Sequence, residues 1–284
     1  HDCKVALATD EAHKLQNSRA VFDVLLSQNN SKRISTMLLT ATPPLKWSAK
    51  RLGERSARIL ADAPYAARLG LTHGIDLGRL VPTHVEVVVA ADAETAEVAD
   101  SAEVPLDKKA KAIAAWVVAN NIRTAFVYAS RCREADDMAA AVEQHVRQLC
   151  GAAVWSAAIH SKVPSSRSDE ALAYFKCDSF STDGVAHKIV VSVGQLREGF
   201  NMPSLEAVVL LQPPEDAASV LQMLGRAMRA HPGKQMARVL VFGSDSAAAS
   251  VGKLIHVYDK HNRAISMGVA PDAYDAHCAA VSSP

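Results

Sequence analysis

Between Lys188 and Phe242 the chain reads KIVVSVGQLREGFNMPSLEAVVLLQPPEDAASVLQMLGRAMRAHPGKQMARVLVF. A mainly apolar run, Ile189 to Val193, ends in polar and glycine-containing residues, and a second, Ala207 to Leu211, ends at Gln212-Pro213. A stretch with helical spacing, Asp216 to Ala230, leads into a third apolar run, Ala237 to Phe242. Continuous rather than alternating apolar runs are what strands buried on both faces of a parallel sheet require.

Upstream the same rhythm holds: helix from Asp107 to Asn120, strand Thr124 to Ala129, helix Arg133 to Leu149, strand Ala152 to Ile159, helix Ser166 to Phe175. Regular alternation of this kind predicts an α/β fold with a mostly parallel, doubly wound sheet. Nearer the start, Cys3 to Thr9, Ser18 to Ser27 and Ile34 to Leu39 repeat strand, helix, strand, and Val85 to Val89 reads as one more strand. Ala90 to Asp107 carries six acidic residues and no basic one, the composition of a linker. Asp245 to Arg263 has an amphipathic helical pattern, and the Ala/Ser/Pro-containing stretch from Ser266 to Pro284 is expected to fray.

The 284 residues, 49% hydrophobic, suffice for two compact domains. Their 31 Lys+Arg nearly cancel 30 Asp+Glu, so any nucleic-acid contact is local rather than a product of overall basicity. Five scattered cysteines, Cys3, Cys132, Cys150, Cys177 and Cys278, form no CxxC pair, which suits a reducing compartment and argues against zinc. No apolar run is long enough to span a membrane and no leader is legible; the cysteine usage leads to the expectation of an intracellular location, nucleus or cytoplasm, with any targeting signal lying in sequence upstream of His1.

Chemistry-bearing residues gather at strand ends. Asp10-Glu11-Ala12-His13 follows the first strand, and phosphoryl transfer needs one carboxylate to hold Mg²⁺ and another to orient the attacking water. An adjacent acid pair is also common in a solvated turn. Thr40 and Thr42 follow the next strand, and Gly199 and Asn201 follow Ile189 to Val193, where a glycine permits close backbone approach to a ligand. Gln222, Arg226 and Arg229 share one face of the expected helix. Arginines there suit the charge on a transferring phosphate, although salt-bridged surface helices use the same spacing. Gly225 costs about 1 kcal/mol relative to Ala inside a helix and so asks for a local reason such as close packing.

The order DEAH, LLTATP, FVYAS, IVVSVGQLREGFNMP, QMLGRAMR resembles the superfamily 2 DEAD/DEAH-box helicases. VSVGQLREGFNMPSLEAVVLLQP with LQMLGRAMRAHPGKQ looks like the branch of restriction-enzyme-type motor subunits and excision-repair DNA translocases. The resemblance, over residues 3 to 243, implies tandem RecA-like domains with ATP and Mg²⁺ in the cleft between them and nucleic acid across both. Residues 1–90 would be the C-terminal part of the first, incomplete domain, 91–107 an acidic linker, 108–265 the second domain and 266–284 a frayed tail. Asp10 would hold Mg²⁺ through water, Glu11 would activate water, and Arg226 and Arg229 would be the arginine fingers. His13, Thr40, Thr42 and Gln222 would couple hydrolysis to movement, while Gly199 and Asn201 would touch nucleotide or nucleic acid.

Asn201 stands where the family usually has Asp, and Arg197 where a small hydroxyl residue is frequent. No GxxxxGKS/T loop occurs; in the family it lies upstream of DEAH, so the expectation is a fragment that does not hydrolyse ATP alone. Met228 precedes Arg229 where DEAH RNA helicases have Gly, which favours DNA over RNA as partner. A nuclease or methyltransferase partner is not legible. The competing reading is a non-catalytic binding platform derived from a helicase.

Overall fold

The computed structural model describes residues 70–88, 104–177, 180, 184–193, 201–214, 217–242 and 264–270, together with strands 5–9 and 34–38. The chain forms two compact units, His1–Arg68 and Leu69–Pro284.

In the first unit, β1 (Val5–Thr9) and β2 (Ile34–Leu38) pair in parallel, Val5 opposite Ile34 and Thr9 opposite Leu38. Parallel neighbours need a crossover between them, which the 10–33 segment is long enough to make. Asp10, Glu11, His13, Thr40 and Thr42 lie outside the described residues.

The second unit runs α1 (Leu71–Asp76), β3 (Thr83–Val88), α2 (Leu106–Ala119), β4 (Thr124–Ala129), α3 (Cys132–Cys150), β5 (Ala153–Ile159), α4 (Ser165–Lys176), β6 (Val185–Val193), β7 (Ala207–Leu210), α5 (Ala217–Ala227), β8 (Ala237–Phe242) and β9 (Ile265–Ala270). The strands form a seven-stranded sheet in the order β5-β6-β4-β7-β8-β3-β9, every pairing parallel. Successive side chains of a strand face opposite sides, so β4 divides its apolar residues between two cores. Phe126 and Tyr128 join Phe175, Leu224 and Met228 on the α4–α5 side, while Ala125, Val127 and Ala129 join Trp116, Met138 and Val142 on the α2–α3 side. Helices cover both faces, which is why all six residues of β4 are buried and its sequence is a continuous apolar run.

Two assignments made from sequence shift. The 83–88 strand, assigned to a first domain ending at residue 90, lies inside the second unit's sheet, with Thr83 opposite both Ala237 of β8 and Ile265 of β9. Glu86 of β3 also accepts a bond from Trp116 Nε1 of α2 at 3.0 Å. The acidic stretch after β3 therefore joins two elements of one unit, β3 and α2, rather than two domains. The start of the stretch expected to fray, 266–270, is ordered as part of β9. Both shifts have one cause: β3 acquires its partners from the far end of the chain, a pairing with no local signature.

Among the described residues, no helix is long and apolar enough to cross a membrane.

Candidate functional site

Helix α5 carries the second group of candidate residues. Val220, Leu221, Met223, Leu224 and Ala227 are buried, an apolar stripe at helical spacing that seats the helix on the sheet. Arg226, at 7% exposure, is drawn into the same interior. The helix ends at Ala227, earlier than the expected 230, because the next residues are taken up by another segment. Val81 N donates to Met228 O at 2.7 Å and Ala230 N to Arg79 O at 3.0 Å, making an antiparallel bridge between Leu80 and Arg229. Arg229 therefore stands just past the helix, fixed by its own backbone rather than by helical geometry.

Its guanidinium Nη1 donates to Oδ1 of Asn201. This joins two residues that were separate candidates on sequence. The partner is a neutral amide, so the bond orients Arg229 without cancelling its charge. Burial first, and the neighbouring Arg226 charge second, push Arg229 below arginine's ordinary pKa. The Arg226 charge thus bears on Arg229, a repulsion that an anionic phosphate would relieve.

A residue that sequence reasoning did not single out organises this corner. Lys234 Nζ donates to the carbonyls of Arg229 at 3.0 Å, Pro203 at 3.2 Å, Leu205 at 2.5 Å and Ala227. Burial pushes its pKa down to about 8, and Glu206 acts in the opposite direction. The cluster of Asn201, Arg229 and Lys234 lies by the starts of β3, β7 and β8: Ala237 N bonds Pro82 O at 2.9 Å, and Pro203 and Leu205 precede β7.

The opposite edge of the sheet holds a second set of polar groups. The chain turns from β4 towards β5 on one side and from β7 towards β8 on the other, which opens a crevice at the carboxyl ends of β4 and β7. There Ser130 Oγ donates to Gln212 Oε1 at 2.6 Å, and Ser130 N to Glu134 Oε2 at 2.8 Å. A cleft of about 350 Å³ opens beside them, lined also by Lys109, Arg131 and Arg133. At the end of β5, buried His160 bonds Asp136 Oδ1 through Nε2 at 2.9 Å. Both positions follow apolar runs, and that strand-end signal could have found them.

Gly225 has no packing reason among the described residues: a Cβ there would meet nothing within 4 Å. The open space replaces the close contact expected from its helix cost. Gln222 is half-buried on α5, and Gly199 lies outside the described residues. No group of three or more His, Cys, Asp or Glu among the described residues could hold a metal ion. The proposed Mg²⁺ residue, Asp10, is not among them.

Residues 108–231 match the family described as "Helicase conserved C-terminal domain". No curated protein matches this chain by sequence. Among solved structures, the chain is similar to the ATP-dependent type ISP restriction-modification enzyme LlaBIII bound to DNA, with TM-score 0.62 and 16% identity over 98% of this chain and 23% of that one. It is similar to a fragment of an HsdR subunit of a type I restriction enzyme from Vibrio vulnificus YJ016, with TM-score 0.61 and 18% identity over 90% and 48%. A third likeness is to S. cerevisiae Dbp5 bound to RNA and ADP BeF3, with TM-score 0.54 and 14% identity over 98% and 62%. At these identities the likeness establishes the fold, a RecA-like α/β sheet, and the chain spans between 23% and 62% of the length of these three structures.

Proposed function

We propose, from a chain that carries a helicase conserved C-terminal domain at residues 108–231, that this protein is part of an ATP-driven motor that translocates on duplex DNA. The observation that carries the proposal is the corner in which Arg229 is held by neutral Asn201 beside buried Arg226. Cations placed there without an acid in the bond fit a role towards a phosphate whose charge grows in the transition state.

Bound ATP with Mg²⁺ supplies the phosphoryl group and the charge that draws electrons towards the leaving diphosphate. Asp10 would hold the metal and Glu11 would orient the attacking water. Arg226 and Arg229 supply positive charge, and Asn201 keeps Arg229 aimed. His13, Thr40, Thr42 and Gln222 couple the nucleotide's state to movement, and Gly199 lets the backbone approach nucleotide or nucleic acid. The phosphate-binding loop is absent from these 284 residues, so hydrolysis requires that loop from elsewhere, and the chain by itself is inactive.

DNA is preferred over RNA because Met228 occupies the position before Arg229 where DEAH RNA helicases have Gly. The solved structures similar to this chain include a DNA-bound enzyme and an RNA-bound one. The test is ATPase activity of a protein that joins this chain to its phosphate-binding loop, measured with duplex DNA and with RNA. Stimulation by duplex DNA, abolished by Glu11→Gln, is expected. Stimulation by RNA alone would overturn the choice of DNA, and hydrolysis by the 284-residue chain alone would overturn the need for the loop.

A further inference from the structure

We propose that Lys234 is a positioning residue that sets the Arg229–Asn201 pair. It does so by tying the carboxyl end of α5 to the loop that carries Asn201. The role of the pair towards phosphate rests on the function proposed above; the tie itself rests on geometry alone.

An ammonium group has three N–H donors, yet four carbonyls surround Lys234 Nζ. Two of them, Ala227 O and Arg229 O, belong to the last turn of α5 and the residues just past it. Such carbonyls lack helical partners and gain most from a nearby cation. The other two, Pro203 O and Leu205 O, belong to the segment that begins two residues earlier with Asn201. One cation therefore bonds the backbone on both sides of the Arg229–Asn201 contact.

Among the described residues, the Leu80 bridge is the other tie on Arg229. Arg229 is anchored from the strand side through the Leu80 bridge, which fixes its backbone but not its distance from Asn201. Asn201 is exposed, and the residues that anchor its segment in the core are Met202 and Leu205. Lys234 sits in a turn whose Gly233 has φ +81°, a left-handed conformation that brings the lysine back over the residues it binds. Its charge is balanced in part by Glu206, at the start of β7.

The guanidinium signals of Arg229 report the pair directly. In the 284-residue chain labelled with ¹⁵N-arginine, the Arg229 signal is assigned with Arg229→Lys and its solvent exchange measured. Lys234→Met should leave the far-UV circular dichroism and the other arginine signals in place. It should move the Arg229 signal and speed its exchange by about tenfold, as expected when one hydrogen bond's worth of anchoring is lost. Lys234→Gln, which keeps two N–H donors without charge, should give a smaller effect in the same direction. An Arg229 signal unmoved in a folded variant overturns the proposal. So does loss of the whole fold in both, since Lys234 would then be an anchor of the unit and not of this pair. No nucleotide is involved, so a motor inactive for other reasons leaves the outcome unchanged.

Discussion

Arg229 Nη1 donates to Asn201 Oδ1 across 28 residues of sequence, joining the end of α5 to the loop between β6 and β7. The family resemblance places Asp where Asn201 stands. Here the amide oxygen takes over the hydrogen-bond acceptor's part but leaves the guanidinium's charge uncompensated. Asn201→Ala should therefore cost about 0.5–1.5 kcal/mol of stability, the net worth of one hydrogen bond, as read by urea denaturation. In a motor completed with its phosphate-binding loop, it should lower kcat with little change in KM for ATP, because it loosens a group that acts in the transition state. A change in KM alone would place Asn201 in ground-state binding instead.

Gly225 lies in α5, where a Cβ would meet none of the described residues within 4 Å. Gly225→Ala should raise the stability of the second unit by up to about 1 kcal/mol, since Ala is the better helix former and narrows the unfolded ensemble. Chemical denaturation reads the gain. A loss of stability would mean that a neighbour fills that space. A gain in stability accompanied by loss of ATPase in the completed motor would mean that a ligand approaches the glycine.

Strand β3 is flanked by β8 and β9 in the second unit. A chain of residues 69–284 should then fold cooperatively by itself, giving one calorimetric transition. A chain of residues 91–284, cut at the boundary that the acidic composition suggests, lacks an inner strand and leaves two edges unpaired. It should aggregate or show no cooperative transition. Equal behaviour of the two chains would contradict the placement of β3.

What was legible in sequence followed from local chemistry. Thr124–Ala129 and Ala237–Phe242 fall on the residues expected, because a strand buried on both faces is predominantly apolar and announces its own ends, with Arg238 the one charged residue between them. Arg226, Arg229 and Asn201 were each visible from their position beside a strand or on a helix. Their contact was not, since it depends on how two loops meet. The end of α5 was misplaced because a bridge to Leu80, far upstream, competes with helix propensity after Ala227. Lys234 gave no signal at all: a single lysine in a turn belongs to no pattern, and only the convergence of four carbonyls reveals it. Asp10, Glu11, His13, Thr40, Thr42 and Gly199 rest on the sequence resemblance alone.

The central claim is that this corner acts on the phosphate of ATP, and single-turnover hydrolysis in the completed motor with duplex DNA tests it most directly. Arg226→Ala and Arg229→Ala should each lower the hydrolysis rate by at least about a hundredfold, the scale on which a charge aimed at the transition state counts. Nucleotide binding should persist in both. Hydrolysis at the unaltered rate in both variants would contradict the account.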